Sequence, residues 1–492
     1  MTKLGRPSGG RLRSRLASVR QSVALQQQDA PSPLASAALS ASPPFLHDLP
    51  GPDQTYAPKQ PITQQLKQLI DDNGYAEAFQ RAITAVSAQH VPELARIQTL
   101  FQFYFYVDAL VTWTPELRLW EWEGDVYHER TDYLRITQFY YYFNQPTLEA
   151  LQSPVDPVSG AELTLVSRWL RDCAVSWGAY LDTPESATRL ASYKFGPEYA
   201  WQDYAGWPYA TFNHWFSRTF RDIDRQRPVA QPDDPRVIAY PAESTFVGQW
   251  AIGTPVPEGE PMPAPASITV KHVEWPIPEL LSDSRYAADF EGGILAHSFL
   301  NVYDYHRQHA PASGRILEAK FIPGQVYLEV DLKLLDQEQR QSESSALANA
   351  LIPPRYLDAA DNTGYQFVQC RGLMVLETAV GKIAVLPMGM AQVSSVVFVE
   401  PGTEALIQLS EADKQHLDYD QQVQKINDML AAKLVGRTIK KGDMISTFLF
   451  GGSDIVMVFE RRSNVNITSS IGVHYPVRSQ YAYANIAELL AY

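Results

Sequence analysis

Phe450-Gly451-Gly452-Ser453 closes one strand-like run, and a second apolar run, Ile455 to Phe459, starts almost at once. The plainest reading of Gly-Gly-Ser between two such runs is a tight turn, since glycine supplies positive φ without steric cost. The sharper reading is chemical. A serine pinned between strands behind two glycines can attack its own peptide bond, because residues without Cβ atoms let the backbone take a strained turn.

Working outward, a period near two dominates after residue 230. Ile316 to Ile322 and Val326 to Leu334 flank Pro323-Gly324, with Val326, Leu328, Val330 and Leu332 alternating against polar neighbours. This spacing predicts a hairpin with a Pro-Gly turn. Leu373 to Leu376 and Ile383 to Leu386 predict a second pair across Val380-Gly381, and Gln422 to Leu434 one amphipathic helix laid on the sheets. From Pro61 to about Ala200 the spacing is helical instead, with Leu66, Leu69, Ile70 and Phe79 on one pattern and Leu165 to Leu181 on another. Between them stand Phe101, Phe103 to Tyr106, Trp113, Trp120, Trp122 and Phe139 to Phe143, a density that reads first as core. A wall over an aromatic substrate is the sharper alternative.

The chain has 492 residues, 45% of them apolar and 20% charged, enough for two domains with sizeable cores. A net charge of −14 lacks the basic footprint of a nucleic-acid binder. Cys173 and Cys370 are too few for a disulfide framework and fit a reducing, cytoplasmic setting. The most apolar stretch, Phe101 to Trp113, is short and carries Asp108, so no spanning helix is expected. The first 28 residues hold Lys3, Arg6, Arg11, Arg13, Arg15 and Arg20 without an acid, and Leu12, Leu16, Val19 and Val23 fall at helical spacing. A solvated, disordered leader is the bland reading; a mitochondrial transit peptide or a peripheral membrane contact is the alternative. Residues 26–60, rich in Pro, Ser, Ala and Gln, read as linker.

Two further segments bear on the serine: Tyr303-Asp304-Tyr305-His306-Arg307-Gln308-His309-Ala310-Pro311 and Tyr240-Pro241-Ala242-Glu243-Ser244. A serine hydroxyl needs an adjacent base and an orienting group. His309 is the candidate base and Glu243 its carboxylate partner, with His306 as the helper for alignment or proton return. Taken singly, each has a duller explanation: partly buried histidines and a surface carboxylate. As zinc ligands the histidines lack a third cluster, so no metal is expected.

Together with Trp215-Phe216-Ser217-Arg218, Arg227-Pro228, Phe290-Glu291-Gly292-Gly293, Phe299-Leu300-Asn301-Val302, Pro387-Met388-Gly389-Met390 and Lys441-Gly442-Asp443, these segments resemble the pyruvoyl-dependent phosphatidylserine decarboxylase family. The likeness runs in order over roughly residues 205 to 470. Upstream, from Pro61-Ile62 through Trp177-Gly178, the chain looks more like the branch containing fungal tryptophan decarboxylases.

The resemblance implies an α+β protein: a leader and linker (1–60), a helical N-terminal domain (61–204) and a β-rich phosphatidylserine-decarboxylase-like catalytic domain (205–492). It implies that Ser453 attacks the Gly452 carbonyl, that the resulting ester eliminates to dehydroalanine, and that hydrolysis leaves a pyruvoyl group and ammonia. A β chain (1–452) and an α chain (453–492) would result and stay together. The ketone would form a Schiff base with a substrate amine and accept electrons as CO2 leaves. Relatives usually carry aspartate where Glu243 stands, and a small hydroxyl residue where Asp454 stands. A carboxylate at 454 is expected beside the ketone, where it would repel a substrate carboxylate or slow maturation.

A soluble amino acid such as tryptophan is the favoured substrate, as the upstream resemblance to the tryptophan decarboxylase branch implies and the acidic charge and lack of an apolar anchor support. The phosphatidylserine head group, in phospholipid biosynthesis, is the alternative. Outside this class stand a carrier barrel around Lys441-Gly442-Asp443 and a degenerate scaffold, which would each run as one intact chain; a homo-oligomer is compatible with each of these readings. Nothing resembles the lysine motif of pyridoxal enzymes.

Overall fold

Leu66 and Ile70 lie one helical turn apart, and both are buried along the inner stripe of the helix Pro61–Asn73. Proline opens that helix, and Gly74 at φ +68° closes it, a left-handed position that costs glycine nothing. The computed structural model describes residues 45–91, 93–122, 125–157, 160–253, 267–270, 273–334, 355–359, 367–390, 396–403, 405–450 and 452–490. The basic leader, and with it the transit-peptide and membrane-helix expectations, lies outside the described residues.

The helices Ala76–Ala88, Leu100–Val111, Thr131–Phe143 and Leu165–Leu181 complete the N-terminal framework. Thr99 and Gln102 form a reciprocal capping box at the start of Leu100–Val111. Most of the aromatic stretch is core, with Phe101 exposed and the side chains of Trp120 and Trp122 outside the described residues: Phe103 meets Tyr142 edge-on at 4.9 Å, and Phe143 stacks on Trp169 at 5.8 Å. Two expectations are corrected here. A hairpin, Leu117–Trp122 against Asp125–Arg130, interrupts the helical region, where Trp120, Trp122 and Val126 favour strands. The end of the segment read as linker is also packed: Leu46 is buried, and Asp108 accepts from the Tyr56 hydroxyl and the Lys59 and Gln60 amides.

The second half is built on an eight-stranded antiparallel sheet. Its spatial order is Thr438–Ile439, Gly314–Ile322, Arg371–Thr378, Gly381–Met390, Gly452–Phe459, Ile294–Leu300, Ser244–Ala251 and His474–Tyr475. The pair across Val380-Gly381 forms as its spacing predicts, with Gly381 at φ +110°. The Pro323-Gly324 hairpin does not. Gly314–Ile322 pairs with Arg371–Thr378, while Val330–Leu334 pairs with Arg355–Ala359. Gly324 instead lets the chain pass close against the backbone of 368–370, where a Cβ would sit 2.4 Å from the Gln369 carbonyl carbon. The expected amphipathic helix spans Tyr419–Leu434 and lies on the Gly314–Ile322 strand, its Asn427 side chain bonded to both the amide and the carbonyl of Phe321.

Gly452–Phe459 is an interior strand, paired with Gly381–Met390 on one side and Ile294–Leu300 on the other. Buried on both faces, it reads as a nearly unbroken apolar run. Side chains alternate across it. Ile455, Met457 and Phe459 join the large core shared with the N-terminal helices. Val456 and Val458 join a second core with Leu295, Leu386, Met388 and Phe367. The large core runs without a break from Leu46 to Ala484, so helical and β-rich regions share it. A smaller sheet, ordered Val396–Phe398, Met444–Phe448 and Arg307–His309, carries the histidine segment.

Candidate active site around Ser453

Alternation along the Gly452–Phe459 strand directs Ser453 to the face of Ile455 and Met457, towards the large core. The residue has no solvent exposure, and its hydroxyl has no hydrogen-bond partner among the described residues. An unsatisfied buried hydroxyl costs about 1–3 kcal/mol and calls for a chemical explanation.

Phe450, three places ahead of Ser453, is anchored from the helical region. Phe450 packs edge-on against Trp177 of Leu165–Leu181 at 5.6 Å and against Phe212 at 4.9 Å. Asn213 accepts from the Phe450 amide at 3.3 Å and donates to the Gly178 carbonyl and to Asp182. Phe216 packs against Phe450 on one side and stacks on the His306 ring on the other, centroids 3.8 Å apart.

His306 is fully buried, and neither ring nitrogen has a partner among the described residues. Burial, seconded by the Arg218 guanidinium, holds its pKa well below the usual histidine value, so the imidazole is neutral. Its carbonyl accepts from the Phe448 amide, which ties it to the strand leading into Phe450.

His309 is also buried, and burial pushes its pKa down to about 3 despite the Gly442 carbonyl. Its Nδ1 lies 2.7 Å from that carbonyl, which can only accept, so Nδ1 carries the proton. The Nε2 lone pair then accepts from the Tyr305 hydroxyl at 3.1 Å. The His309 amide donates to Pro241, bringing the Tyr240–Ser244 segment alongside.

Glu243 is not bonded to His309. Both its oxygens accept from Arg227, each at 2.7 Å, in a bidentate pair that in turn raises the Arg227 pKa. Nearby, Asp304 accepts from His474 at 2.9 Å. Burial alone would lower His474, but the hydrogen bond and charge of Asp304 outweigh it and raise the value.

The fold therefore brings the three segments together, while no hydrogen bond joins Ser453 to either histidine. Arg227 and Tyr305 stood inside quoted motifs without a role. Trp177 was quoted only as the end of an upstream likeness and Asn213 not at all, because their shared partner Phe450 lies more than two hundred residues away. Asp454 departs from expectation: as a strand neighbour of Ser453 it points to the opposite face, where its Oδ1 meets His297 Nε2 at 2.6 Å in the second core. A groove of about 660 Å³ lined by Asp289, Gly293, Arg461 and Asn464 sits at the far end of this strand, and Ser453 does not line it. No helix among the described residues is long and apolar enough to cross a membrane.

The fold and site define an α+β protein with a serine buried at the head of an interior strand, close to segments bearing neutral histidines. The chain belongs to the phosphatidylserine decarboxylase family, whose sequence model matches residues 212–479, more than half its length. An L-tryptophan decarboxylase of Psilocybe cyanescens is 22% identical over 262 residues, 53% of this chain and 48% of that protein. A phosphatidylserine decarboxylase proenzyme of Anaeromyxobacter sp. (strain K) is 24% identical over 253 residues, 51% of this chain and 70% of its own. Phosphatidylserine decarboxylase proenzyme 3 of Schizosaccharomyces pombe is 25% identical over 262 residues, 53% of this chain and 19% of its own. The matched region thus spans about half the length of the first of these relatives and under a fifth of the third.

Proposed function

We propose that this chain is a proenzyme that cuts itself between Gly452 and Ser453, and that the pyruvoyl group formed from Ser453 makes it a decarboxylase of a free amino acid with an aromatic side chain. The observation that carries this reading is the Ser453 hydroxyl: fully buried, without a partner among the described residues, at the start of an interior strand. Its surroundings fit such a group, since the segment ahead of it is walled by aromatic rings and by the neutral His306 imidazole.

In the first step the Ser453 oxygen bonds to the Gly452 carbonyl carbon as the peptide C–N bond breaks, leaving an ester. The hydroxyl proton passes to a base and returns on the departing nitrogen. Loss of the Ser453 α-proton then expels the Gly452 carboxylate and severs the chain, and water converts the resulting dehydroalanine to the pyruvoyl group with release of ammonia. His309 is the proposed base: its tautomer is fixed by Gly442, and its Nε2 lone pair is held by the Tyr305 hydroxyl, a contact that could relay the proton. Glu243 acts through Arg227 in this arrangement and orients the segment that carries Pro241. The pyruvoyl group supplies an electron sink for the bond to the leaving carboxylate. His306, neutral and with neither nitrogen engaged among the described residues, is the proposed group that aligns the substrate or, after taking up a proton on one ring nitrogen, passes it to the substrate α-carbon. Burial of the site keeps water away from that proton transfer.

The α chain, residues 453–492, stays with the β chain in this reading because its first strand is paired on both sides. The rings of Trp177, Phe212, Phe216 and Phe450 favour an aromatic substrate, as does the likeness to L-tryptophan decarboxylases. Phosphatidylserine is the second reading, favoured by the family and by the proenzymes named above. We place the protein in the cytoplasm, with peripheral membrane contact under the second reading. CO2 release from tryptophan against release from phosphatidylserine in detergent separates the two.

A further inference from the structure

Behind the strand that carries Ser453, on the face turned away from the aromatic rings, lies a second polar constellation. Asp454 and His297 touch at 2.6 Å, and each side chain is only 2% exposed. The Asp454 Oδ2 and the His297 Nδ1 have no partner among the described residues. Val456, Val458, Leu295, Leu386 and Met388 form the core there, and the Phe367 ring lies 5.9 Å from the imidazole.

A buried pair of this kind contributes little net stability, because desolvation offsets the attraction and a well-packed apolar pair would serve as well. What it does supply is direction. A short contact between a side chain and a neighbouring strand fixes the orientation of residue 454, and with it the peptide that joins 454 to 453. The register places it where it matters: Asp454 is opposite Phe299 and Met388, and His297 is opposite Val456, so the contact runs diagonally across the two strands.

We propose that the Asp454–His297 pair is a positioning clamp that holds the head of the α chain in place once the Gly452–Ser453 bond is cut. The inference rests on the cleavage reading above. Before the cut, residue 453 is held covalently from both sides. After it, residue 453 is a chain end, and strand ends fray. Asp454 then belongs to the α chain and His297 to the β chain, so their contact is a side-chain tie between chains one residue from the new ketone. The clamp lies on the strand face opposite the Ser453 side chain, so it would orient the chain end without offering a charge on the Ser453 face.

The test compares hydrogen exchange of the 454–459 segment in four proteins: wild type, Asp454→Ala, the uncut Ser453→Ala chain, and the uncut double variant. The clamp predicts that Asp454→Ala speeds exchange roughly tenfold or more in the cut protein and leaves it within about twofold in the uncut one. It also predicts that kcat falls more than KM rises, and that Asp454→Asn, whose amide can still bond the imidazole, recovers most of the exchange protection. Equal loosening in cut and uncut proteins would make the pair a purely structural feature, and no loosening in the cut protein would equally overturn the clamp. Should Asp454→Ala not fold, Asp454→Thr in the same comparison decides by the same criteria. A wild type that never cleaves would instead remove the parent reading.

Discussion

The Trp177 indole meets the Phe450 ring edge-on at 5.6 Å, which joins the helix Leu165–Leu181 to the residue three places before Ser453. Trp177 is fully buried and reaches Trp113 on its other side, so helical region and cleavage segment share one packed contact. Trp177→Ala is expected to cost about 3–5 kcal/mol of stability, as large-to-small core changes do. It should also slow self-cleavage, since the segment ahead of Ser453 loses a wall. Urea unfolding of the uncut Ser453→Ala background, with gel timing of cleavage in the native background, checks both. Trp177→Phe should cost less on each count.

Much of this was legible from the residues alone. The strand from Ile455 to Phe459, the pair across Val380-Gly381 and the helices at 61–73 and 165–181 follow from apolar period, because burial on one or two faces writes itself into the spacing. Pro323-Gly324 misled because glycine signals close backbone approach as readily as a turn, and here it was approach. Asp454 misled for another reason. Its proximity to Ser453 in sequence is real, but strand alternation turns adjacent residues to opposite faces. His297 gave no signal because its partner lies 157 residues away.

The Arg227–Glu243 pair is bidentate, with side chains only 19% and 10% exposed. Arg227→Ala should therefore cost on the order of 3–5 kcal/mol, because it leaves a nearly buried carboxylate alone. Glu243→Gln should retain part of the pairing and lose less. Thermal unfolding orders the two variants. Maturation should follow the same order if Glu243 acts through Arg227.

Acid should weaken the fold through His309. Its folded pKa, about 3, lies below the ordinary histidine value, so the unfolded chain binds the extra proton between those values. The stability held by the neutral ring is complete above roughly pH 6.5 and declines as pH falls towards the folded value, by up to about 1.4 kcal/mol per pH unit. Urea unfolding of the uncut Ser453→Ala chain at several pH values should show this slope. Adding His309→Asn should flatten it by about one proton.

The two histidines should separate by stage. His309→Ala is expected to remain uncut, whereas His306→Ala should cleave and then turn over poorly. Denaturing gels report the first property and CO2 release the second. Cleavage of His309→Ala at the wild-type rate would remove that residue from the base role.

The most direct measurement is the intact mass of purified protein under denaturing conditions. The account predicts two chains divided between Gly452 and Ser453, the smaller of 40 residues with a blocked N-terminus, and a single chain for Ser453→Ala. One undivided wild-type chain of 55.2 kDa with an ordinary serine at 453 would contradict it.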